Sequence, residues 1–182
     1  MRYADGPTAT AEITVGAPPA RVWELVTDIG LPARRSPELQ RVTWLDGAKA
    51  PALGARFEGH NEHPQLGAWR THSYVVELAE HRAFAWAVTD PDDRYGAVEP
   101  TPENPLATWR FDLSPAPEPA GGTLLRQTVR LGPAPSGVTL VIDQDPANEE
   151  AIVAFRLDQL RTHMEATLQD IKSLAEDGTP TA

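Results

Sequence analysis

From Ala147 to Asp177 the chain contains neither glycine nor proline. This stretch constrains the fold more than any other. Asp145-Pro146 supplies an N-cap and a first-turn proline, whose missing N–H would have had no partner there. Gly178 supplies a stop. The spacing therefore predicts one helix of about 30 residues, on the order of 45 Å long. Val153, Leu157, Leu160, Met164, Leu168, Ile171 and Leu174 fall on one face. Such a stripe needs a long apolar surface to cover.

The preceding residues read as that surface. "TATAEITV" (8–15) alternates like a strand. "APPARVWELVTDI" (17–29) opens on two prolines and turns Val22, Leu25, Val26 and Ile29 to one side, and Gly30 and Pro32 end it. "PARRSPEL" (32–39) reads as a second short helix or a turn. Six strand-like runs follow, at 40–46, 54–61, 68–78, 82–89, 106–114 and 122–131, separated by Gly, Pro, Asp and Asn. The Pro-rich connection 89–105 reads as a loop, and 115–122 as a tight hairpin turn. Short connections imply antiparallel neighbours. The expected fold class is thus α+β: a curved seven-stranded antiparallel sheet wrapped around a long C-terminal helix, with two short helices after the first strand. Residues 1–182 are expected to form one domain, with 178–182 a disordered tail.

Composition narrows the function classes. The net charge is −10 and nearly all the positive charge is arginine, with no basic cluster, so nucleic acid is a poor partner. There is no cysteine, hence no thiolate ligand, disulfide or Cys nucleophile. No run reaches the ~18 apolar residues of a membrane span, and "MRYADGPTAT" has no apolar leader core. A cytoplasmic protein without a membrane partner is expected. No phosphate-binding glycine loop, nucleophile elbow or dinucleotide fingerprint is present, so no cofactor is expected. "HNEHP" offers His60, Glu62 and His63, but on a strand His63 faces away from the other two, so no metal is expected.

The order of elements, with the motif Ala17, Pro18, Pro19, Val22, Trp23, Leu25, Val26, Asp28 and the stretches "LGARFEG" (53–59), "ATWRFDLSP" (107–115) and "GGTLLRQT" (121–128), resembles the SRPBCC superfamily. This helix-grip fold is shared by START-related lipid-transfer domains, plant pollen allergens and bacterial polyketide cyclase/dehydrase-like proteins. The resemblance implies a deep pocket between the concave sheet face and the long helix, with the Pro-started helix at one end.

Strand alternation nominates the lining. Phe57 and Asn61 oppose Arg56, Glu58 and His60; Phe84 and Trp86 oppose alanines; Trp109 and Phe111 oppose Arg110; Gln127 opposes Arg126. On 68–78 composition does not decide between Trp69, Thr71, Ser73 and Val75 on one face and Arg70, His72, Tyr74 and Val76 on the other. The resemblance to aromatase/cyclases implies Trp69 and Ser73 inside, and polar groups such as Gln159 and His163 from the helix. The expected ligand contacts are Phe57, Trp69, Ser73, Phe84, Trp86, Trp109, Phe111, Gln127, Gln159 and His163. The first expectation is a binding or carrier protein, monomeric or homodimeric, for a small hydrophobic, aromatic or polyketide-like molecule. The alternative is a polyketide cyclase/dehydratase in which Ser73, Gln127 or His163 moves protons. Where aromatase/cyclases carry a cavity arginine two residues after that serine, this chain has Val75, which favours the first. A third option is a protein whose exposed apolar patch binds a protein partner.

Overall fold

The computed structural model describes residues 1–34, 36–64, 67–96 and 101–177. Seven strands, β1 (Thr8–Val15), β2 (Leu39–Trp44), β3 (Arg56–His63), β4 (Gly67–Ala79), β5 (Ala83–Thr89), β6 (Ala107–Pro115) and β7 (Thr123–Leu131), form one antiparallel sheet. Its order is β1-β7-β6-β5-β4-β3-β2, so every neighbour except β1–β7 is also a neighbour in sequence. Helix α1 (Pro19–Val26) and a 3₁₀ turn (Leu31–Arg34) lie between β1 and β2. Helix α2 (Gly137–Gln144), a 3₁₀ turn (Pro146–Asn148) and helix α3 (Glu149–Glu176) close the chain. This is the helix-grip arrangement.

Alternation places the core. In β7 the buried residues are Thr123, Leu125, Gln127, Val129 and Leu131, with Arg126 and Arg130 outside. The α3 stripe fills the grip: Val153, Leu157, Leu160, Met164, Leu168 and Ile171 are all buried. The last turn departs from expectation, for Ala175 is buried and Leu174 only half-buried. The 3.6-residue period carries the stripe from 171 to 175 rather than to 174.

The C-terminal end of α3 is tied to the end of β1 and to α1. Lys172 Nζ donates to the Thr14 carbonyl (2.8 Å), Gly16 N–H donates to Glu176 Oε1 (2.6 Å), and Arg21 Nη2 donates to the Leu174 carbonyl (3.1 Å). Pro19 opens α1 after an extended Pro18, and Val22 and Val26 are the residues it buries.

Two helix boundaries differ from the sequence reading. Helix α2 lies in a stretch to which the sequence reading assigns no element; its Val138, Thr139, Val141 and Ile142 are β-branched, which weakens the helix signal there. Its start is fixed instead by a cap: Ser136 Oγ accepts from Val138 N–H (3.3 Å), and Ser136 N–H donates to Thr139 Oγ1 (2.9 Å). Asp145 consequently ends α2 and precedes a 3₁₀ turn, and α3 begins at Glu149. The expected disordered tail 178–182 and residues 97–100 of loop 89–105 lie outside the described residues.

Candidate functional site: the cavity between sheet and helix

The concave face of the sheet and α3 enclose a cavity of about 250 Å³. The curved strands β2 to β7 form its floor and walls. Ile29, Pro32 and Ser36, from the segment after α1, cover one side, and Arg156, Leu160, His163, Met164 and Thr167 of α3 cover another. An apolar cavity of about 150 Å³ accepts a benzene ring, so this one has room for a two-ring molecule.

Trp86 and Trp109 are direct register partners on β5 and β6, and their rings lie nearly parallel (10°) with centroids 6.3 Å apart. Phe57 tilts against Trp86 at 6.3 Å. Trp69, Thr71 and Ser73 line the cavity from β4, so the face that composition left open is the one carrying Trp69 and Ser73. Gly59 keeps the space clear: a Cβ there would stand 3.0 Å from Thr71 Oγ1 and 3.2 Å from Leu39 Cδ1.

Of the ten expected contact residues, Phe57, Trp69, Ser73, Trp86, Trp109, Gln127 and His163 line the cavity. Phe84, Phe111 and Gln159 do not. Phe84 and Phe111 form the next register pair along β5 and β6, are each 1% exposed, and support Trp86 from behind at 5.2 and 5.8 Å. There the grip is already filled by core side chains. Gln159 stands about 60° round the helix from Arg156, on the side away from Leu160. Its Oε1 accepts from Arg156 Nη1 (3.4 Å).

Gln127 is the polar group of greatest consequence. Its residue exposure is 4%, it faces the cavity, and its Oε1 has no hydrogen-bond partner. A buried acceptor left unmade costs free energy that a ligand donor would recover.

Sequence reasoning missed an ion pair. Arg156 Nη1 donates to Glu38 Oε1 (3.0 Å) and Nη2 donates to Oε2 (3.3 Å), and both residues line the cavity. Arg156 lies on the helix, not on the strand where the resemblance implies a cavity arginine. Arg156 shares the helix face of His163 two turns away, and that spacing was the available signal. Burial works to raise the Glu38 carboxyl, but the hydrogen bonds and charge of Arg156, with His163 and His63 beyond, outweigh it and hold Glu38 below the usual carboxylate range. Burial pushes His163 below its ordinary value; Glu38 opposes this shift and Arg156 adds to it.

The outer face carries the remaining candidates. Glu58 accepts contacts from His60 (2.8 Å), His72 (3.1 Å) and Arg70 (3.2 Å), and Arg70 pairs with Asp92 (2.6 Å). Arg126 pairs outside with Glu12 (2.9 Å). Among the described residues no group of three His, Asp or Glu side chains is placed to hold a metal ion. Among them, too, no helix is long and apolar enough to cross a membrane.

Residues 7–165 match the family model described as polyketide cyclase / dehydrase and lipid transport. The chain belongs to that family. Among curated proteins, none matches it. A polyketide-cyclase-like protein of Corynebacterium glutamicum, solved in solution, is 27% identical over 93% of this chain and 91% of its own, with a TM-score of 0.59. The di-domain ARO/CYC StfQ from the steffimycin biosynthetic pathway shares the fold at a TM-score of 0.66 and 14% identity, over 93% of this chain and 50% of its own. A Deinococcus radiodurans protein does so at 0.59 and 15%, over 95% of this chain and all of its own (100%).

Proposed function

We propose that this family member binds a small, predominantly aromatic molecule in the cavity between sheet and α3, holding or carrying it without turnover. The observation that carries this reading is the unpartnered, buried Gln127 Oε1 in a cavity that Trp86, Trp109 and Phe57 also line. Flat apolar walls with one unmet acceptor describe a ligand with an aromatic body and a hydroxyl or N–H on its inner end. Ser73, itself buried, adds a hydroxyl to the lining, and Trp69 a further wall. The molecular class agrees with the family description, which spans polyketide chemistry and lipid transport. Titration of the intrinsic tryptophan fluorescence with 2-naphthol tests it. Saturable quenching, weakened at least about fivefold in Trp109→Ala, is expected; a loss of one ring contact is worth about 1 kcal/mol. Absence of quenching up to the solubility limit refutes the reading.

A second reading rests on His163. Its depressed pKa keeps the imidazole neutral and able to accept a proton inside the cavity. In that reading the protein is a cyclase or dehydratase, with His163 as the base and Ser73 as a proton donor. Turnover of an aromatic β-hydroxyketone to its dehydrated product, lost in His163→Gln, would establish it over the carrier reading.

A further inference from the structure

Among the described residues the cavity holds one ion pair, and its partners come from different walls. Glu38 belongs to the segment entering β2, where its carbonyl accepts from Glu62 N–H (2.9 Å). Arg156 belongs to the first half of α3. Their side chains are 21% and 29% exposed, against 4% for the whole of Gln127, so the pair occupies the outer part of the cavity. Among the described lining residues, Arg156 is the sole Arg or Lys and Glu38 the sole Asp or Glu.

An arginine alone in an apolar cavity is a receptor for carboxylates, because its fork matches their geometry. Here Glu38 already occupies that fork through two hydrogen bonds. A second carboxylate would meet the guanidinium and the Glu38 carboxylate together, at close range and only partly in water, where like charges repel more strongly than in bulk solvent. His163, kept neutral by burial, adds no compensating charge. An uncharged acceptor meets no such repulsion. The guanidinium has five N–H groups, and its contacts to Glu38 and Gln159 engage three of them. Two remain for a ketone, quinone or lactone oxygen.

We propose that Glu38 determines specificity: by neutralising Arg156 it makes the cavity select uncharged aromatic molecules that carry an acceptor oxygen, and reject their carboxylate counterparts. This inference rests on the aromatic-binding reading above. It is tested with two probes of the same ring system, 2-acetylnaphthalene and 2-naphthoate, titrated against the full-length protein and its Glu38→Gln variant. Glutamine keeps an acceptor for Arg156 while removing the charge, and thermal melts establish that the variant is folded.

The wild type is expected to bind acetylnaphthalene at least about tenfold more tightly than naphthoate. Glu38→Gln should strengthen naphthoate about tenfold and so shift the ratio of the two probe affinities toward naphthoate by a similar factor. The double variant Glu38→Gln/Arg156→Gln should lose that gain, since the cation responsible is gone. An unchanged probe ratio in Glu38→Gln, or a gain that survives in the double variant, overturns the role of Glu38 while leaving the cavity reading intact. Failure of both probes to bind any of the three proteins overturns the cavity reading and this inference with it.

Discussion

Gln127→Met should make the empty protein more stable and a worse receptor for hydroxylated ligands. Gln127 is 4% exposed and its Oε1 is unpartnered. A buried polar atom in that condition costs about 1–3 kcal/mol. Methionine has nearly the same length and adapts to irregular surroundings, so it removes the penalty without opening a cavity. A gain of about 2 kcal/mol corresponds to a rise in Tm of about 4–8 °C for a domain of this size. The same change removes the acceptor that distinguishes 2-naphthol from naphthalene. Naphthol affinity should fall about five- to tenfold, about 1–1.4 kcal/mol, with naphthalene affinity unchanged. Differential scanning calorimetry and fluorescence titration read the two halves. A lower Tm, or an equal loss for naphthol and naphthalene, would refute the reasoning, because either result means that Gln127 was serving the fold.

Three further outcomes are expected. Gly59→Val should remain folded but lose binding of two-ring probes at least about tenfold, since even its Cβ would press on Thr71 and Leu39 and its methyls would occupy the cavity; retained affinity would locate the ligand elsewhere. Ser136→Ala should cost about 1 kcal/mol through loss of the α2 cap, and a further amount through the Tyr3 hydroxyl, which donates to Ser136 Oγ (3.0 Å); an unchanged Tm would show that α2 does not depend on this cap. Stability should fall on acidification, because His163 and Glu38 both titrate lower in the folded protein than their ordinary values of 6.5 and 4.5. In each case the unfolded chain binds the proton first, so the His163 contribution declines as pH drops below 6.5 and that of Glu38 declines below 4.5. Tm measured from pH 7.5 downward should therefore fall less steeply in His163→Gln over the upper part of that range, and parallel curves would contradict the assignment.

The fold was legible because its signals are periodic and mutually consistent. A two-residue alternation exposed the strands, a 3.6-residue stripe exposed α3, and the two periods implied surfaces that cover each other. Helix α2 went unassigned: its β-branched residues give a weak helix signal, and the Ser136 cap fixes its start. For the cavity, alternation correctly chose faces: Phe57, Trp86, Trp109 and Gln127 all point inward. It could not tell an inward residue facing open space from one facing packed core. Phe84 and Trp86 share a face of β5, yet Phe84 lies in the filled part of the grip and Trp86 borders the cavity. The Glu38–Arg156 pair joins residues separated by more than half the chain: helical spacing to His163 marks Arg156, but no local pattern marks Glu38 as its partner.

The central claim is that an aromatic ligand enters this cavity, and the indole N–H signals of the five tryptophans test it most directly. Trp69, Trp86 and Trp109 line the cavity, whereas Trp23 and Trp44 do not. In a ¹⁵N–¹H correlation spectrum titrated with 2-naphthol, the signals of Trp69, Trp86 and Trp109 should shift together along one saturable curve. Trp23, on α1 with its ring 6.1 Å from that of His81, should stay in place. A shift confined to Trp23, or five signals unmoved at saturating ligand, would contradict the account.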